Sequence, residues 1–105
     1  MSKSPTTIDP DWIENDHAGE LLASEFMEPL ALSSAELAAR IDVPADRIDR
    51  VIDGRSDLDA ELDLRLCRYF GLSEGFFLRL QLQYELLEAK RVLNGQLDRI
   101  VPRAA

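Results

Sequence analysis

Arg47, Arg50 and Arg55 lie in a stretch where Ile48, Val51 and Ile52 recur at helical spacing. Arginines along a short helix suit phosphates and base edges, because each guanidinium is permanently charged and offers a planar fork of donors. Asp46, Asp49 and Asp53 share that helix. They can hold the arginines in surface ion pairs worth roughly 0.3 kcal/mol each. One of them could instead accept a hydrogen bond from cytosine N4, a less frequent readout. The other chemical candidates are thinner. His17 is the only histidine, and no second histidine or suitably placed cysteine completes a metal or acid–base site around it and Glu20. His17-Ala18-Gly19-Glu20 reads as the start of a helix. Cys67 is the single cysteine and sits beside Leu66, as a buried structural thiol would. There is no Gly-rich phosphate loop, no Ser/His/Asp set and no paired-carboxylate cleft. These residues point to a binding protein that is not an enzyme and needs no metal or cofactor.

The elements that must position the arginines belong to one small domain. The chain has 105 residues, 46% of them hydrophobic and 30% charged. That composition is globular, and the length does not supply two cores. A lone cysteine excludes a disulfide-stapled fold. No apolar run nears the ~20 residues of a membrane span, and no signal peptide is recognisable. A cytoplasmic protein is expected. The net charge is −8, which excludes a generic basic coat for nucleic acid but not a local positive patch. Residues 1–33 carry seven acids against Lys3 alone. Such an acidic arm could meet a basic partner protein.

Residues 1–16 are polar, contain Pro5 and Pro10, and are expected to be loosely ordered, with Trp12 and Ile13 able to fold back on the domain. From His17 the pattern is helical. Leu22, Phe26 and Leu30 recur at spacing four, and Pro29 ends the first helix. Ser33-Ser34-Ala35-Glu36 is a capping box opening a second helix with Leu37, Ala38 and Ile41 inside. It stops near Asp42. Pro44 suits the first turn of a third helix, and Gly54 its end. Asp57 or Asp59 caps a fourth helix with Leu62, Leu66, Tyr69 and Phe70 inside, ended by Gly71. Ser73 caps a fifth, which runs to about Val92. No strand-like alternation occurs, so the fold class is all-α.

The fifth helix is apolar on two sides. Phe76, Phe77, Leu80, Tyr84 and Leu87 form one stripe; Leu78, Leu82, Leu86, Ala89 and Leu93 form another nearly opposite. One stripe packs on the core. The other is expected to meet a second copy, which makes Leu78, Leu82, Leu86 and Leu93 the expected dimer interface.

Residues 33–53 have the spacing of a helix-turn-helix. Ala38 is small where two helices cross, Asp42 stands at the turn, and Ile48 and Val51 pin the second helix. Ala45, Asp46, Arg47, Asp49 and Arg50 are left on its outer face. The sequence here resembles the HigA-type antitoxins (plasmid-maintenance antidote proteins), a branch of the Xre/Cro-like helix-turn-helix family. The resemblance runs in order through 17–22, 28–33, 43–48, 54–55, 64–71, 77–81 and 83–86. It implies a five-helix lambda-repressor-like domain over 17–92, between an acidic arm, 1–16, and a tail, 93–105. It also implies a homodimer that binds operator DNA, represses its own operon and neutralises a cognate RelE-like ribonuclease toxin. The expected DNA-binding residues are Ser33, Ser34, Pro44, Ala45, Asp46, Arg47, Asp49, Arg50 and Arg55, with Arg40 nearby.

The chain departs from the family at Ala18 (usually Pro), Asp42 (usually Gly), Phe77 (usually Trp) and Glu61-Leu62. Asp enters the left-handed turn conformation readily, so Asp42 is compatible with the turn. The larger departure is charge, since Pro44–Asp53 holds three acids against two bases. Phosphate contacts supply much of operator affinity, and these acids oppose it. The alternative is an interaction module of the same fold that has reduced or lost operator binding.

Overall fold

His17 starts the helical domain. In the computed structural model, which describes residues 16–104, its Nδ1 accepts the Glu20 N–H at 3.2 Å, and Glu20 Oε1 accepts the His17 N–H at 3.1 Å. This is a capping box with imidazole in place of a hydroxyl. The expectations for Trp12, Ile13 and the rest of residues 1–15 fall outside the described residues. The first helix, α1 (Ala18–Leu21), runs on as a π-helical turn, Leu22–Met27, and a 3-10 turn, Glu28–Leu30. The wider turn resets the register. A spacing of four would bury Leu22, Phe26 and Leu30. The i→i+5 turn buries Leu22 and Met27, half-buries Phe26, and leaves Leu30 61% exposed. Pro29 lies inside the final 3-10 turn, and Ala31, left-handed at φ 52°, closes the element.

Four further helices follow, α2 (Ser34–Ile41), α3 (Ala45–Ile52), α4 (Ala60–Phe70) and α5 (Phe76–Leu93), then a 3-10 turn at Gln96–Arg99. The described residues contain no strand. The stops are local chemistry. Asp42 ends α2 in the left-handed conformation at φ 62°, and Gly71 ends α4 at φ 71°. Leu22, Leu37, Ile48, Leu58, Leu62, Leu66 and Phe77 form the fully buried centre. Beside it, Phe26 touches Phe70 and Phe77, each at 5.2 Å between ring centroids. Tyr69, expected inside, lies at the surface of α4 instead.

Gly19 sets how closely α1 crosses α3. A Cβ there would stand 1.9 Å from the Val51 carbonyl oxygen, so only glycine permits this approach. The end of α3 is thereby locked against the start of α1.

The start of α5 differs from the sequence expectation. Ser73 is not its cap; Gly75 is, in the left-handed conformation at φ 90°. The Ser73 carbonyl accepts only the Phe76 N–H, at 3.1 Å. Gly75 has no side chain to satisfy the next donors, and Asp63 of α4 does so from a distance. Asp63 is 1% exposed. Its Oδ2 accepts the Gly75 N–H at 2.6 Å, and its Oδ1 accepts Phe77 and Leu78 at 2.9 and 3.1 Å. A carboxylate at a helix N-terminus also meets the positive end of the helix dipole.

The two stripes of α5 separate along its length. Phe77 is buried, and Phe76, Leu80, Tyr84 and Leu87 are half-buried. On the other side Leu82 is 54% and Leu86 53% exposed. Leu78 departs from that outer set, because it is half-buried and packs on the core, where Asp63 of α4 also holds its N–H. Leu93 is half-buried as well. Val92, Leu97, Ile100 and Val101 extend the exposed apolar surface beyond Leu86.

Candidate nucleic-acid interface

The surface begins at the capping box of α2. Ser33 Oγ accepts the Glu36 N–H at 3.1 Å, and Glu36 Oε1 accepts the Ser33 N–H at 2.9 Å. These contacts with Ser33 hold the Glu36 carboxyl below the usual carboxylate range. The hydroxyl oxygen of Ser33 is used as an acceptor, and its O–H remains a donor at an exposed helix N-terminus. Ser34 beside it is half-buried.

Helix α3 is held by Ile48 and Val51, both essentially buried, with Ala38 of α2 buried at the crossing. This orientation turns Asp46, Asp49 and Arg50 to solvent and leaves Ala45 and Arg47 half-covered. Pro44 precedes the first turn as its N-cap, one place before the helix. After α3 the chain folds back, with the Arg55 and Ser56 N–H groups donating to the Arg50 carbonyl at 2.9 and 3.2 Å. The turn after Gly54 is thus closed directly on the end of α3. Ser33 and Ser34 stand at the start of the first helix of the helix-turn-helix, and Arg55 follows the end of the second.

Each expected arginine has a carboxylate. Arg50 meets Asp46 at 3.4 Å, one turn earlier, and Arg55 meets Asp53 at 3.1 Å. Arg47 leans away from α3 and pairs with Asp59, the N-cap of α4. The Leu62 N–H holds the Asp59 carboxyl below its usual range, with desolvation opposing it and Arg47 adding to the lowering. Asp49 is exposed and has no salt bridge among the described residues. With Asp59 included, the face carries four carboxylates against three guanidinium groups. To engage phosphates each arginine must exchange one anion for another.

Two positioning residues were not among the expected site residues. Gln81 of α5 clasps the α3–α4 loop, its Oε1 accepting the Leu58 N–H at 2.7 Å and its Nε2 donating to the Leu58 carbonyl at 3.0 Å. Arg65 of α4 donates to the Ile41 carbonyl at 2.9 Å, satisfying the end of α2. Asp63 is the third residue of this kind, and a periodic signal for it exists. Leu62, Asp63, Leu66 and Cys67 share one buried face of α4. Among the described residues no cluster of three or more His, Cys, Asp or Glu side chains could hold a metal, and no helix is long and apolar enough to cross a membrane.

The all-helical fold and its exposed second helix define a helix-turn-helix domain of the DNA-binding regulator class. No protein-family model matches the chain. The HTH-type transcriptional regulator YbaQ of Escherichia coli K12 is 31% identical over 78 residues, spanning 74% of this chain and 69% of that protein. The structure of PA4674 from Pseudomonas aeruginosa in complex with its operator DNA superposes with a TM-score of 0.80 at 31% identity, covering 88% of this chain and 98% of that one. The antitoxin HigA of Pseudomonas aeruginosa with the higBA promoter gives 0.76 at 28% identity, over 88% of this chain and all of that one. The chain belongs to the HigA-type antitoxin family of helix-turn-helix regulators.

Proposed function

We propose that this protein is a homodimeric, cytoplasmic repressor that binds the operator of its own operon and neutralises a RelE-like ribonuclease toxin. The observation that carries the reading is the exposed outer face of α3, anchored by Ile48 and Val51, in a fold shared with operator-bound relatives. Arg50, Arg55 and, once released from Asp59, Arg47 are the phosphate and base contacts. Ser33 and Ser34 contact phosphate at the start of α2, and Pro44 and Ala45 bring the backbone of α3 close to the groove.

The proposal is tested by a gel shift with the protein's own promoter. Three arginines per protomer give about six phosphate contacts per dimer and a log–log salt slope of roughly −5. Binding is then weak at physiological salt and about a thousandfold tighter at 50 mM than at 200 mM. The ion pairs of all three arginines favour a second reading, a toxin-binding or dimerisation module that has given up its operator. No shift at any salt supports that second reading.

The dimer rests on Leu82 and Leu86, with Leu93 at the edge and Val92 and Leu97 nearby. Leaving such side chains in water forgoes roughly 1.5–3 kcal/mol each. Light scattering is expected to give a dimer for the wild type and monomer or aggregate for Leu82→Glu. A wild-type monomer at micromolar concentration contradicts it. A short basic reading frame adjoining the gene, whose product co-purifies with this chain, is the expected signature of the toxin.

A further inference from the structure

Arg47 is held differently from the other two arginines of the helix-turn-helix. Arg50 and Arg55 pair with carboxylates four and two residues away, Asp46 and Asp53, and their side chains remain 46% and 62% exposed. Both members of each of these pairs are exposed, so the pairs open at little cost. The Arg47 side chain is 24% exposed and reaches out of α3 to Asp59, twelve residues along the chain.

That carboxylate is fixed before the arginine meets it. As the N-cap of α4, Asp59 accepts the Leu62 N–H on Oδ1 at 2.9 Å, and the same oxygen accepts Arg47 Nη2. The residue before it, Leu58, is buried, and the side-chain amide of Gln81 holds both the Leu58 N–H and its carbonyl. An acceptor already ordered by a cap and a clasped loop loses little side-chain freedom on pairing, and that loss is a main cost of a surface ion pair. The charge also interacts favourably with the dipole of α4, but the hydrogen bond of the cap does not need it, since serine caps a helix about as well as aspartate. The negative charge of this cap is therefore free to act on Arg47.

We infer that Asp59 is a positioning residue for operator binding: it latches Arg47 onto α4 in the DNA-free protein and lowers affinity until DNA takes the arginine away. The inference rests on the proposed docking of α3 in the groove. It makes a residue outside the two helices of the helix-turn-helix a determinant of how tightly the protein holds DNA.

The test is a double-mutant cycle on Arg47 and Asp59, read by fluorescence anisotropy with a duplex of the protein's own promoter at one fixed low salt. Asp59→Ser keeps a capping acceptor and frees Arg47. With two latches per dimer, it is expected to bind about fivefold more tightly than the wild type. Arg47→Gln is expected to weaken binding. In that background Asp59→Ser is expected to change affinity less than twofold, because no arginine is left to release. A purely structural role for Asp59, or plain repulsion between its charge and DNA, would act alike in both backgrounds. Circular dichroism checks that each variant is folded, and Asp59→Asn, which also caps, replaces Asp59→Ser should the latter unfold. Asp59→Ser binding no more tightly than the wild type, or a gain that persists undiminished with Arg47→Gln, overturns the latch and leaves the docking of α3 standing. No binding by the wild type or any variant at any salt overturns the docking and the latch with it.

Discussion

Asp63→Ala is expected to lower the melting temperature by roughly 15 °C, a loss on the scale of truncating a buried core leucine. The carboxylate satisfies three backbone donors at the start of α5 and takes a fourth contact from Cys67 Sγ at 3.6 Å. Removing it strands the Phe77 N–H in the buried core and takes the acceptor from the half-buried Leu78 N–H. Hydrogen bonds to a charged group contribute about 1.5–3 kcal/mol each net, and buried donors left unmatched cost a similar amount. A loss of roughly 3 kcal/mol is a large part of the ~5–15 kcal/mol that holds a small domain, and near 100 residues each kcal/mol moves the midpoint by roughly 4–8 °C. Asp63→Asn keeps one acceptor oxygen but turns an NH₂ toward a backbone donor, and is expected to fall between the two. Thermal unfolding followed by circular dichroism is the measurement. A shift below about 4 °C for Asp63→Ala would show that Gly75 and Ser73 cap α5 unaided.

The largest functional effect is expected from Asp46→Asn combined with Asp49→Asn. Both side chains are exposed on the outer face of α3 and lie three residues apart. The first substitution releases Arg50 from its 3.4 Å partner, and the second removes a charge that no described cation neutralises. Each carboxylate near phosphates is repelled by about 1 kcal/mol in a water-like dielectric. Non-specific DNA binding by the double variant is therefore expected to tighten about tenfold or more, read by fluorescence anisotropy at fixed salt. If one aspartate reads a cytosine, specificity relaxes at that base while affinity for other sites rises. Binding no better than wild type would mean that α3 does not enter the groove.

Local chemistry in the sequence was enough for the capping box at Ser33, the left-handed Asp42, the stop at Gly71 and the buried face of α3. Each depends on neighbours within one turn. What the sequence hid depends on tertiary partners. The spacing of Leu22, Phe26 and Leu30 suggested an α-helix, but burying Met27 required a π-turn that no local signal announces. Ser73 had the right chemistry for a cap, and a carboxylate twelve residues before Gly75 displaced it. Leu78 belongs by angle to the outer stripe, yet it packs on the core at that end of the helix. Arg47 was expected to pair, if at all, within α3. Its partner is Asp59, across the loop that Gln81 clasps from α5.

The central claim is that Ser33, the outer face of α3 and Arg55 meet DNA. It is tested most directly by following the backbone amide resonances of the full-length protein during titration with a duplex of its own promoter at low salt. The account predicts shifts concentrated at Ser33, Ser34, Ala45 to Arg50 and Arg55, fading together as salt is raised, with Leu82 and Leu86 unmoved. Shifts confined to α5, or none at any salt, would contradict it.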